Sequence, residues 1–161
     1  MGRNQWNGYL DAIDAALDKG MAAKEVVCSI TTGFRQIPSL RNAPGLNPYH
    51  ATVADIGYGF DAVRGTIERL RNGEMIPLGK EMLVFDLDTL RISEKQMSPN
   101  FELVAKEATP DTYYLIKQSL LLNRQIAQKI DEANKYGKAL LGTEWNEILK
   151  RIQKVQAIPR L

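Results

Sequence analysis

Few residues in this chain have both the type and the spacing to do chemistry. Asp86 and Asp88 stand two apart in Val84-Phe85-Asp86-Leu87-Asp88-Thr89-Leu90, at the end of a short apolar run. A nucleophilic carboxylate placed there would need a magnesium ion and a cradle for phosphate. Cys28 and His50, the single cysteine and the single histidine, could form a nucleophile and base if the fold brought them together. Asp11, Asp14 and Asp18 are three acids in eight residues. They recur at helical steps, without the alternating oxygens, glycine turn and closing glutamate of a calcium loop. Gly57 and Gly59 form a GxG, but Gly65 falls at the wrong distance for a dinucleotide fingerprint and no strand precedes it.

Each has a plainer reading. The Val84–Leu90 stretch resembles the first motif of the haloacid-dehalogenase-like phosphatases, in which a strand ends in an aspartate nucleophile and a second aspartate follows two residues on. Here no glycine stands between Asp88 and Thr89, no acidic metal-binding motif follows, and strands do not alternate with helices. Asp86 and Asp88 are therefore expected on the wet face of a strand. Cys28 sits beside Val27 and Ile30 on an inward helix face, where a thiol is usually buried and inert. A lone histidine rules out any multi-histidine metal site, and His50 falls in the first turn of a helix. No catalytic residue, metal ligand or cofactor site is assigned.

Basic residues gather late in the chain. Lys135, Lys138, Lys150, Arg151, Lys154 and Arg160 face only Glu144 and Glu147 there, and Arg64, Arg69 and Arg71 form a second group. Lys150, Arg151 and Lys154 are the candidate nucleic-acid contacts. They lack the dense stripe and interleaved aromatics of most such surfaces, so a solvated face is the expectation. The net charge of +2 points to no strong polyanion partner.

The elements that would position these residues are mostly helical. With 44% apolar and 25% charged residues, 161 residues suit one domain with a core of its own. The periodicity predicts helices over about 4–19 and 22–35, joined as a hairpin at Gly20, and a third over about 47–72. That third helix buries Val53, Ile56, Phe60, Val63, Ile67 and Leu70 at 3-4 spacing. Ser39 to Asn47 reads as a loop. Between the third and fourth helices, Met82 to Asp88 alternates as a strand, with a partner at Phe101–Val104 after the Ser98-Pro99-Asn100 turn. The next helix is the longest, from a Thr109 N-cap and Pro110 to a terminal Gly137. A last helix spans about 144–156.

The expected fold is thus mainly α: about five helices in an irregular bundle around one long central helix, with a two-stranded β insertion at about 82–104. Between Tyr113 and Leu122 the central helix is apolar on nearly every side, so Leu115, Ile116, Leu120, Leu121 and Leu122 are candidate interface residues. The segment Ala133-Asn134-Lys135-Tyr136-Gly137-Lys138-Ala139-Leu140-Leu141 resembles part of the head–tail adaptors of short-tailed phages. The functional expectation is a non-enzymatic structural or adaptor subunit of a larger assembly, with a virion or head–tail component among the candidates. Its partners would be copies of itself or other subunits. A helical nucleic-acid-binding or regulatory protein is the alternative. One cysteine, no signal-like start and no membrane-length apolar run lead to the expectation of a cytoplasmic protein without membrane contact.

Overall fold

The computed structural model describes residues 2–74 and 76–156. Four long helices dominate: α1 (Arg3–Thr32), α2 (Leu46–Arg71), α3 (Ile76–Ala105) and α4 (Tyr113–Leu141). A shorter α5 (Thr143–Gln156) follows, and a 3-10 turn at Gly33–Gln36 extends α1. Helices α1 and α3 each pack against both α2 and α4, which closes a four-membered ring, and α5 lies against α3 and α4.

Neighbours run antiparallel. Arg71 at the end of α2 meets Asp11 and Asp14 near the start of α1, and His50 at the start of α2 meets Thr31 at the end of α1. Thr66 bonds Asp86 and Thr52 bonds Asn100, which orders α2 against α3 in the same way. The result is an up-down-up-down four-helix bundle, the arrangement that short connections favour. Its interior holds Leu10, Ile13 and Leu17 from α1, and the six α2 positions that the 3-4 spacing selected. Leu83, Leu87 and Leu90 of α3 and Ile126 and Ile130 of α4 complete it.

The β insertion is not there. Of the described residues 86% are helical and none is in a strand, and residues 82–104 lie within α3. The alternation of Leu83, Phe85 and Leu87 misleads because α3 is apolar on two faces. Leu83, Leu87 and Leu90 point into the bundle at helical spacing, while Phe85 points out and is 45% exposed. The Ser98-Pro99-Asn100 "turn" is helical too. An interior proline costs about 3 kcal/mol, but Pro99 is exposed while Met97, Phe101 and Val104 around it are buried. That burial outweighs the local preference, since packing sets most helical stability in proteins.

Two glycines were read as helix ends and are packing contacts instead. Gly20 lies inside a continuous α1, so the expected hairpin at 20 is one helix. A Cβ at Gly20 would sit 3.1 Å from Phe60 Cζ and 3.3 Å from Lys129 Cβ. Gly137 lies inside α4, where a Cβ would meet Leu87 Cδ1 at 2.7 Å and Trp145 Cζ3 at 2.9 Å. The helix ends instead at Gly142, with φ of +58°. At the other end Thr109 and Asp111 bond in a turn before α4, which begins only at Tyr113. Nor is α4 central: it is one of four helices of similar length, each with an outer face.

Candidate docking surface

The residues with chemical potential are held apart. Asp86 and Asp88 diverge by about 200° around α3, because a helix turns once in 3.6 residues. Asp86 accepts a hydrogen bond from Thr66 at 3.2 Å, and burial pushes its carboxyl above the usual range. Asp88, expected on a wet face, is 5% exposed and accepts two bonds from Arg91, at 3.0 Å and 2.8 Å. No phosphate site can form between carboxylates so directed. Among the described residues no group of three His, Cys, Asp or Glu side chains is placed to hold a metal ion.

Both ring nitrogens of His50 are engaged, one with the Arg35 guanidinium at 3.0 Å and the other with the Thr31 carbonyl at 3.2 Å. Nε2–H donates to that carbonyl and Nδ1 accepts from Arg35, so the neutral ring satisfies the site. Burial, then the Arg35 charge, lowers the His50 pKa. A lowered folded-state value means that the unfolded chain takes up the proton first. This stabilisation is complete above the unfolded value of about 6.5 and is lost as pH falls through the lowered folded value. We expect denaturation midpoints to drop over that window and His50→Gln to flatten the profile; an unchanged profile in the variant would contradict this.

Cys28 is half-buried on α1, and burial raises its pKa. We expect slow reaction with a thiol reagent at neutral pH and full retention of fold in Cys28→Ala. Labelling at the rate of a free thiol would overturn that.

The acids and arginines that looked like separate groups meet across one seam. Arg64 of α2 pairs with Asp18 of α1, and Arg71 bridges Asp11 at 2.5 Å and Asp14 at 2.7 Å. These pairs are partly exposed and each contributes little, but they neutralise two of the three arginines of that group. On α5, Lys150, Arg151 and Lys154 are all exposed, and Arg151 is tied to Glu81 of α3 at 3.2 Å.

The five candidate interface residues of α4 have three different fates. Ile116 is buried in the core. Leu115, Leu120 and Leu122 are half-buried and packed against the core of their own bundle. Leu121 is 49% exposed, near the outward Tyr113 and Tyr114. Asn134 is buried and donates to the Leu87 carbonyl at 3.0 Å, tying α4 to α3.

A second apolar surface lies on α3, where the sequence predicts a ribbon. Leu78, Phe85 and Ile92 are 44%, 45% and 42% exposed, at steps of seven residues, and Leu103 continues the line at 40%. Seven residues are nearly two helical turns, so these side chains share one outward stripe. Between them on that stripe stand the exposed Glu81, Thr89, Gln96 and Pro99, one charge among four. Beside Phe85, a groove of about 250 Å³ opens between α3 and α5, floored by Ile148 and Ile152 and rimmed by Val155, Glu81 and Arg151. The sevenfold spacing was visible in the sequence, but the strand reading concealed it.

Compared with known protein families, curated proteins and solved structures, the chain matches none. No helix of the described residues is long and apolar enough to cross a membrane. The surface itself is therefore what any functional reading must rest on.

Proposed function

We propose that this chain is a non-enzymatic structural or adaptor subunit that joins a larger assembly through the outward face of α3. One observation carries the reading: a charge-poor apolar stripe along most of a 30-residue helix, left uncovered by a bundle that has satisfied its own core. Surface leucines scattered singly need no explanation, but four apolar side chains aligned on one helix face are the kind of surface that interaction sites use. The diverging carboxylates and the doubly bonded His50 support a non-catalytic role.

The Ala133–Leu141 segment, the basis for considering a head–tail component, commits Asn134, Gly137, Leu140 and Leu141 to contacts within this chain. The assembly reading accordingly rests on α3. Nucleic-acid binding is not favoured, because Arg64, Arg71 and Arg151 are each paired with acids.

The test is the native size of the chain in extracts of its source. We expect a particle well above the 18.1 kDa of one chain, and a return to single-chain size for Ile92→Glu with unchanged circular dichroism. Migration of the unaltered chain as a single 18.1 kDa species at its natural concentration would overturn the proposal.

A further inference from the structure

Resting on that reading, we infer that the α3 stripe pairs with the same stripe of a second copy, antiparallel about a two-fold axis near Asp88 and Thr89. An isologous contact requires a surface complementary to itself after a two-fold rotation. Phe85, Ile92 and Leu78 meet this condition, whereas Leu103 falls opposite position 74, ahead of α3, and lies outside the paired stretch. Phe85 and Ile92 are equidistant from the point between residues 88 and 89, so antiparallel pairing sets Phe85 of one copy on Ile92 of the other, twice. Leu78 then falls opposite Pro99 by the same count.

The charges select the direction. Glu81 and Lys95 lie seven residues either side of Asp88, and 14 residues are nearly four full turns, so both stand on one edge of the stripe. Antiparallel pairing brings Glu81 of each copy beside Lys95 of the other. Parallel pairing would place Glu81 of one copy and Lys95 of the other on opposite edges, and neither contact would form. Lys95 is exposed and makes no ion pair among the described residues, whereas Glu81 is held only by the exposed Arg151.

The area allows only a weak dimer. From Leu78 to Pro99 the paired stretch runs about 32 Å, and a helix is about 10–12 Å across. Such a contact covers about 350 Å² of each copy, about 700 Å² in all, with a further rim from Ile152 and Val155 of α5. That is below the roughly 1,000 Å² that a stable specific interface clears, so a transient pair that forms only at high concentration is expected.

Sedimentation equilibrium of the purified full chain, from about 1 to 300 µM, reads this directly. We expect a monomer–dimer equilibrium that weakens at least tenfold in both Phe85→Glu and Ile92→Glu while circular dichroism is kept. Glu81→Lys should weaken it, and the double variant Glu81→Lys with Lys95→Glu should restore it. A chain monomeric throughout, a dimer indifferent to both apolar variants, or a charge swap without rescue would each overturn the antiparallel pairing. If the purified chain is monomeric but runs as a large particle in source extracts, self-pairing fails while the assembly role stands. Single-chain size in both would end the two together.

Discussion

Trp145→Ala should lower the unfolding free energy by about 3–5 kcal/mol, the usual cost of emptying a large aromatic site, and should release α5 from the bundle. Trp145 is 2% exposed, and its six-membered ring lies over Gly137, where the missing Cβ lets the indole approach the α4 backbone. Lys138 places its ammonium 6.0 Å from the ring centroid and adds to the hold. Only Trp145 and Ile148 of α5 are buried; Leu149 and Ile152 pack on the core from the edge, and the partly exposed pairs Lys80–Glu144 and Arg151–Glu81 contribute little. Chemical denaturation followed by circular dichroism is the check: a lower midpoint together with loss of helical signal for about one short helix. A loss under about 1 kcal/mol would mean that α5 is held by something else.

Gly45→Ala carries the second large expected effect, for a different reason. Gly45 has φ of −84°, which any residue adopts, so backbone freedom is not what is needed there. A Cβ would instead collide with the Asn100 carbonyl oxygen and stand 2.7 Å from Leu103 Cβ. The first of these is backbone and cannot swing aside. The turn before α2 must therefore move away from the C-terminal half of α3, at about 1–3 kcal/mol or more. Gly65→Ala is the control. Nothing lies within 4 Å of its Cβ position, and inside α2 the exchange should stabilise by up to about 1 kcal/mol. If thermal unfolding gave the two variants the same sign, the close approach at Gly45 would be wrong.

The same contrast explains what the sequence could and could not reveal. Helix α2 was legible almost to the residue, because the six apolar positions at 3-4 spacing all serve the core and all six are buried. Helix α3 was not. Its inner leucines and outer Leu78, Phe85 and Ile92 interleave into an apparent two-residue period, and Pro99 adds a false boundary. A helix that serves both a core and an outer surface loses the single stripe by which helices are recognised.

Glycines misled in a related way. Gly20 and Gly137 occupy helix interiors because Phe60 and Trp145 press against them, a reason that lies in distant parts of the chain. The paired acids and arginines of α1 and α2 were each visible as a cluster, but their meeting depends on the antiparallel register.

Of the candidate surface, the spacing of seven was available from the residues alone. The apolar excess on α4 drew attention first, because Tyr113 to Leu122 is the densest apolar run. In the bundle that run is mostly absorbed by neighbours, with Ile116 buried and Leu115, Leu120 and Leu122 packed on the core. Tyr113, Tyr114 and Leu121 stay exposed there, and α3 adds a second apolar line.

Oxidative footprinting of side chains tests the central claim most directly, applied to the dilute purified chain and to the same chain in its native particle. The account predicts that Leu78, Phe85 and Ile92 are modified in the dilute chain and protected in the particle, with Phe60, fully buried in the core, protected in both. Equal modification of Leu78, Phe85 and Ile92 in the two samples would show that the outward face of α3 meets nothing, and would contradict it.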